Sequence, residues 1–333
     1  MILAGDIGGT KTVLGLFQED KGHTGCIRQA VFPSKGHKSL EEILEKFLIG
    51  EKNLAIQAGC FGVAGAVLEG KCQTTNLPWQ LDENHLAQFI QARQVRLLND
   101  LESAAFGMLF LQPEELLPLN PEAQGKRKGN IAVLAAGTGL GEAILFWDGE
   151  MHHPSASEGG HTDFAPSNEI EYQLWKWLSG RFPGHVSYER TLSGPGILNV
   201  FHFLTETGQH SASPGLIEKL KSPGDASALV AQAALEKSDS AAMATMDLFC
   251  SIYGAEAGNL ALKCLSSAGV FIGGGIAPKI LPILKNGKFL EAFYAKGRFS
   301  SLMRSMPISL ALNPQAPLIG AANYACRMAN KSS

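Results

Sequence analysis

The sequence predicts a two-domain α/β protein, and three observations predict it. At 333 residues, 45% of them hydrophobic, the chain is long enough to build about two cores. Its apolar runs come as three short strands followed by alternating helices and strands, and that order recurs in the second half. Two stretches, "GDIGGTKTVLGLF" from Gly5 and "AAGTGLGEAILFW" from Ala135, each end a strand in a Gly/Thr-rich turn and resume at once as another strand. Two such halves facing each other would form a cleft with a phosphate loop on either wall.

The first series opens with strands at Ile2 to Asp6, Thr12 to Phe17 and Cys26 to Phe32. A helix follows, with Ser39 as N-cap and Glu42 completing a capping box, its apolar face built from Leu40, Ile43, Leu44, Phe47 and Leu48. A strand near Ala55 to Val63, a helix near Asp82 to Ala92 and the strand Val95 to Leu98 come next. That strand runs into Asn99 and Asp100, where Asn99 and Glu102 have the spacing of a second capping box. The polar, basic stretch "PEAQGKRKGN", Pro121 to Asn130, reads as an exposed connector. Beyond it lie strands at Ile131 to Ala135, Glu142 to Trp147 and around Met151, a helix-rich stretch, and strands at Val270 to Ile272 and Ile308 to Leu312.

A net charge of -3 supplies no electrostatic reason to expect nucleic acid or an anionic membrane as partner. The six cysteines are scattered through apolar stretches without a CxxC pair, so they read as reduced core residues. The start "MILAGDIGG" lacks the basic region of a signal peptide, and no uninterrupted apolar run is long enough to span a bilayer. A cytoplasmic protein with a small-molecule ligand is the expectation.

Three glycine clusters stand at strand ends. In "GDIGGTK", Gly8 and Gly9 expose successive amide groups that can hold phosphate oxygens, Thr10 adds a hydroxyl and Lys11 a charge, while Asp6 could hold Mg2+ through water. An ordinary glycine hairpin is the plainer alternative. Because "TVLGLF" continues as a strand, both the dinucleotide fingerprint and the Walker loop are disfavoured, since each must open a helix. "AAGTGLGEA" offers Gly137 and Thr138 as a second set of donors. "FIGGGIAPKIL" brings Gly274 and Gly275, bare backbone on which a flat ring such as adenosine could lie, ahead of a helix expected near Pro278. In "SEGGHTDFAP" a glycine turn carries Glu158 and His161, a pairing of acceptor and donor that suits vicinal sugar hydroxyls. Glu189 precedes a helix capped by Ser193, and a salt bridge to Arg190 is its alternative reading.

Taken in order, "GDIGGTK", "LLNDLESAAFG", "GTGLGEA", "SEGGHTDFAP", "YERTLSGPGI", "GGGIAPK" and "PLIGAANYA" resemble the bacterial-type glucokinases of the hexokinase and actin-like ATPase superfamily, over nearly the whole chain. The resemblance implies an α/β, two-domain actin-like ATPase (ribonuclease H-like) fold. Its cleft would lie between a small domain, residues 1–111 plus 315–333, and a large one, residues 112–314. It implies phosphorylation of the 6-hydroxyl of glucose by ATP with Mg2+, the first step of glycolysis, in a cytoplasmic homodimer. Asn99, Asp100, Glu158, His161 and Glu189 would contact the sugar, with Asp100 as general base, and the loops at Gly8–Thr10 and Gly137–Thr138 would hold the ATP phosphates. Lys11 stands where many members have Asn, and Ala136 where Pro is common, which leaves the phosphate role of Lys11 open. The Cys-rich zinc motif of the related repressor/kinase group is missing from the sequence.

On this reading Asp100 takes the proton of a poorly nucleophilic alcohol, Mg2+ and loop amides neutralise the phosphates, and domain closure excludes water. The rivals are a kinase of the same fold acting on mannose or an amino sugar, a sugar-sensing regulator, for which a DNA-binding extension is expected, and a polymerising ATPase, which needs no residues at 158, 161 and 189.

Overall fold

The computed structural model describes residues 1–20, 23–50, 54–123 and 128–331. Residues 124–127 of the connector Pro121 to Asn130 lie outside them. The chain divides into two units, one of Met1–Glu115, His152–Ala156 and Asn313–Ser333, the other of Leu116–Met151 and Ser157–Leu312.

In the first unit, strands β1 (Ile2–Ile7), β2 (Lys11–Asp20) and β3 (His23–Pro33) form a meander, then α1 (Leu40–Leu48) leads to β4 (Ala58–Val63). A small three-stranded sheet of β5 (Val67–Leu68), β6 (Lys71–Gln73) and β7 (Gln80–Asp82) comes before α2 (Glu83–Phe89), β8 (Gln94–Asn99) and α3 (Asp100–Met108). The main sheet has the order β3-β2-β1-β4-β8, with β1 antiparallel to β2, and β1, β4 and β8 parallel. Because both faces of this sheet are covered, β4 is buried at every residue and reads as an unbroken apolar and glycine run. Leu3, Ile7 and Leu14 face Leu40, Ile43, Leu44 and Phe47 of α1, while Ile2, Ala4 and Val13 face Leu318, Ala321 and Ala322 of the C-terminal helix Ala316–Lys331. This split follows the two-residue period of a strand. Within the unit, Arg327 donates to the His152 carbonyl at 3.0 Å, a tie that no periodicity in the sequence marks.

The second unit repeats the plan. Strand β9 (Leu116–Pro118) is followed by β10 (Ile131–Ala136), β11 (Leu140–Trp147) and β12 (His152–Ser157), the last mostly in the first unit. Helices α4 (Glu169–Arg181), α5 (Gly194–Glu206), α6 (Pro214–Leu220), α7 (Ala226–Leu235) and α8 (Ser240–Lys263) precede β13 (Gly269–Gly273). Three short helices, α9 (Leu281–Leu284), α10 (Lys288–Tyr294) and α11 (Ser300–Ser305), then lead to β14 (Ile308–Ala311). The sheet order includes β11-β10-β13-β14-β9; β10 is antiparallel to β11 and parallel to β13, as β1 is to β2 and β4. The duplication read in the sequence is therefore present in the strand pairing. Helix α8 is buried on nearly all sides, with Phe249, Ile252, Tyr253, Ala257 and Leu260 in the unit's core.

Three local expectations change. Ser39 occupies the N-cap of α1, but its side chain makes no capping bond; Glu42 reaches back to the Lys38 amide instead, at 2.9 Å. The helix expected near Pro278 begins at Leu281, because the amides of Lys279 and Ile280 both close a turn on the Ile276 carbonyl. All six cysteines are free and five are buried, but Cys26 is exposed on β3. Among the described residues, no helix is long and apolar enough to cross a membrane.

Candidate functional site

Candidate site residues stand at the carboxyl ends of parallel strands in each unit: Gly8 after β1 and Asn99 at the end of β8 in the first, Gly137 after β10 and Gly274 after β13 in the second. In the first unit, Asp6 is paired with Gly62 across β1 and β4, and Val63 with Asn99 across β4 and β8, so the ends of three strands line up. At β8 the expected capping box forms. The Asn99 side chain accepts from the Leu101 amide at 3.0 Å, and Glu102 accepts from the Asn99 amide at 3.2 Å. Asn99 Nδ2 also donates to the Gly65 carbonyl at 3.1 Å, which fixes the amide in place.

Asp100, next in sequence, is exposed, and its Oδ1 also accepts from the Leu101 amide, at 2.8 Å. Asp6 is half-buried, and its carboxyl is pushed up to about 6, first by burial and then by the charge of Asp100, against the opposing charge of Lys11. The two carboxylates therefore feel each other across the strand ends.

The turn from β1 to β2 is closed by the Gly8 amide on the Lys11 carbonyl at 3.0 Å. Ser34 clamps it from the side: its hydroxyl donates to the Gly8 carbonyl at 2.6 Å and its amide to the Thr10 carbonyl at 2.9 Å. Asn76 packs against Gly9, while Thr10 and Lys11 are exposed. Neither Ser34 nor Asn76 has a sequence signal, since both reach the turn from loops distant along the chain.

In the second unit, the turn from β10 to β11 presents Gly137 and the exposed Thr138. The Gly194 amide, at the start of α5, donates to the Gly137 carbonyl at 2.8 Å, and Ser193 caps that helix as expected. The positive end of a helix dipole thus lies beside this loop. Gly274, with φ at +82°, sits on the backbone of Ala136, where a side chain would collide with the carbonyl; Gly275 faces open space. The bare surface expected of Gly274 and Gly275 therefore adjoins the Gly137 loop.

Leu140 joins the remaining residues. Its amide donates to Glu189 Oε2 at 3.0 Å, and its carbonyl is covered by Gly160, in the turn Gly159–His161. The Tyr188 amide donates to the Thr162 carbonyl at 3.1 Å, tying that turn to the segment carrying Glu189. Glu158 and His161 are exposed, and Glu189 is half-buried. The alternative partner of Glu189, Arg190, stacks instead over the Phe182 ring, 4.1 Å from its centroid. The structure thus brings Glu158, His161, Glu189, Gly137 and Thr138 together in one unit, and Asp6, Gly8 to Lys11, Asn99 and Asp100 in the other.

Comparison with known proteins is consistent along the whole chain. The family model "Glucokinase" matches residues 3–328. The glucokinase of Nostoc punctiforme is 40% identical, the alignment covering 98% of this chain and 99% of that one. Among solved structures, a glucokinase from an Antarctic psychrotroph superposes with a TM-score of 0.86 at 29% identity, over 98% of both chains. A glucokinase from Balamuthia mandrillaris, solved in complex with glucose, gives 0.77 at 20% identity, over 98% of this chain and 93% of that one, and shares the fold. By the family match and by identity over nearly its full length, the chain belongs to the glucokinase family.

Proposed function

We propose that this chain transfers the γ-phosphoryl group of ATP to the 6-hydroxyl of glucose, with Asp100 as general base. Membership of the glucokinase family supports the overall reaction, and the glucose held by the Balamuthia relative supports the sugar. The observation that carries the role of Asp100 is its placement: an exposed carboxylate at a strand end, oriented by the Leu101 amide, whose charge adds to the burial that pushes Asp6 up to about 6. As the 6-oxygen bonds to phosphorus and the bond to the β-phosphate oxygen breaks, Asp100 accepts the hydroxyl proton. ADP leaves with the bridging oxygen.

Asp6 and Asp100 form a concentration of negative charge that suits Mg2+, which would neutralise the phosphates when bound. Among the described residues, no group of three or more acidic, His or Cys side chains could hold a metal ion. In the proposed reading the ion is brought by the nucleotide and steadied by Asp6 through water. In the same reading the Gly9 amide and the hydroxyls of Thr10 and Thr138 bind phosphates, because the Gly8 and Gly137 amides, also expected to face phosphate, close their own turns on the Lys11 and Gly139 carbonyls; Lys11 adds charge, and Gly274 and Gly275 accept the adenosine. Asn99, Glu158, His161 and Glu189 bind sugar hydroxyls. The working form is taken as a cytoplasmic homodimer, which light scattering and fractionation test.

The decisive experiment is ADP release measured with a panel of hexoses for wild type, Asp100→Ala and Asp100→Asn. Both variants should lose on the order of 10² or more in kcat, the usual share of a general base. Near-normal turnover in a folded D100A protein would return Asp100 to a purely helix-terminal role. Hydrolysis as fast without sugar as with it would remove the kinase reading altogether.

A further inference from the structure

Beneath the turn that carries Glu158 and His161 lie two carboxyl groups for which phosphoryl transfer has no use. Glu142, from β11, and Glu256, from the middle of α8, are 1% and 0% exposed. Among the described residues, the Oε1 atom of each has no hydrogen-bond partner. Two ionised carboxylates, buried together with an orphan oxygen each, would be costly; one proton held between them satisfies both. Burial, and then the charge of Glu256, pushes the Glu142 carboxyl up to about 8, against the opposing charge of Lys263.

The groups around the pair come from four elements. Lys263 Nζ, on α8, is 3.6 Å from Glu256 Oε1 and largely in solvent. Asn259 Nδ2 donates to Glu256 Oε2 at 2.8 Å and to the Tyr188 hydroxyl at 3.0 Å, and the buried Tyr188 in turn bonds to Glu256. Lys296 Nζ, following α10, donates to Asn259 Oδ1 at 2.7 Å. On the other side, Glu142 Oε2 rests against Gly159, where any side chain would collide with it. The pair therefore touches both segments of interest, through Gly159 next to Glu158 and through Tyr188 next to Glu189.

We propose that Glu142 and Glu256, sharing one proton, are positioning residues that seat the Glu158–His161 turn and the Tyr188–Glu189 segment for the sugar. The inference rests on the reading of those residues as sugar contacts. Loss of the shared proton sets two buried negative charges against each other under Gly159 and displaces the turn. Glucose affinity then falls as pH rises through the ionisation of the pair, while the nucleotide loops are spared.

Kinetics from pH 7 to about 9.5 test this in the full chain, with Glu142→Gln and Glu256→Gln as variants. Either amide leaves one negative charge at the pair and a donor for the remaining carboxylate, so neither variant can undergo the second ionisation. In wild type, KM for glucose should rise up to about tenfold per pH unit above the ionisation, with KM for ATP level; in both variants the glucose profile should be flat. A wild-type profile that is already flat, or one that both variants reproduce, overturns the inference. Glucose titrations of Glu158→Ala and His161→Ala at pH 7.5 separate the two readings. Undiminished affinity there overturns the sugar contacts themselves, whereas weakened affinity with unchanged pH profiles in the glutamine variants overturns the acid pair alone.

Discussion

Each unit holds a pair of carboxylates contributed by different elements, and the two pairs meet opposite fates. Asp6 and Asp100 stand at strand ends, one half-buried and one exposed, with Lys11 acting on Asp6 from the turn. Glu142 and Glu256 lie in the interior of the other unit, with one ammonium at 3.6 Å on the Glu256 side only. Mutual repulsion operates in both, but access to water decides the protonation state. In the open pair burial and the charge of Asp100 push Asp6 up only to about 6, and the proposed cation would add to the relief that Lys11 gives; the closed pair keeps a proton and becomes a structural joint. Residue type alone does not assign charge.

The largest effect that separates the pairs is expected from Asp6→Asn. On the proposed reading of Asp6 as a water-mediated partner of Mg2+, its loss should lower apparent Mg2+ affinity about ten- to a hundredfold, read as the Mg2+ dependence of ADP release. Stability moves the other way. The folded-state value of Asp6, about 6, lies above its unfolded one, so the native state holds the proton more tightly and stability declines as pH rises from roughly 4 to 6. The penalty is complete above pH 6 and amounts to at most about 3 kcal/mol. D6N should therefore unfold later than wild type in denaturant at pH 7.5, without Mg2+ or nucleotide, and equally with it at pH 4. Equal midpoints at both pH values would show that Asp6 does not carry the strain assigned to it.

An intermediate effect is expected where the closed pair meets the sugar turn. Gly159→Ala puts a methyl group against Glu142 Oε2, and the buried carboxyl has no solvent to retreat into. Overpacking of this kind costs about 1–3 kcal/mol, so thermal stability should fall and KM for glucose should rise roughly tenfold, with KM for ATP little changed. A variant as stable as wild type with the same KM for glucose would show that the turn yields without consequence.

How much of this was legible in the sequence depends on how local each feature is. The duplicated strand–turn–strand and the cap at Asn99 are written in neighbouring residues, and the structure carries them. The same capping spacing at Ser39 does not form a box, because the approach of the chain puts Glu42 in reach of the Lys38 amide. Spacing proposes a cap, and the entry angle of the backbone decides it. Glu142, inside "GTGLGEA", looks like any polar residue on a half-exposed strand. Its burial and its partner are set by α8, which arrives from far along the chain, so no periodicity reveals the pair.

Ser34 is illegible for the same reason, and it is the subject of the smallest expected effect. Its hydroxyl, fully buried, donates to the Gly8 carbonyl and lies 2.9 Å from the Thr12 hydroxyl. Ser34→Ala removes that donor and should cost roughly 1–2 kcal/mol in stability, with a rise of a few-fold in KM for ATP as the Gly8–Thr10 turn loosens. The Gly137 turn offers a control, because its clamp is the Gly194 amide, a backbone donor that no substitution other than proline removes. Lys11 begins the strand that leaves the loosened turn, and its charge holds Asp6 down. If the turn relaxes in S34A, that restraint weakens and the Asp6 carboxyl should titrate at higher pH, which carboxyl NMR resonances would read. A lower value would mean that Lys11 approaches Asp6 more closely without the clamp, and that Ser34 holds the two apart.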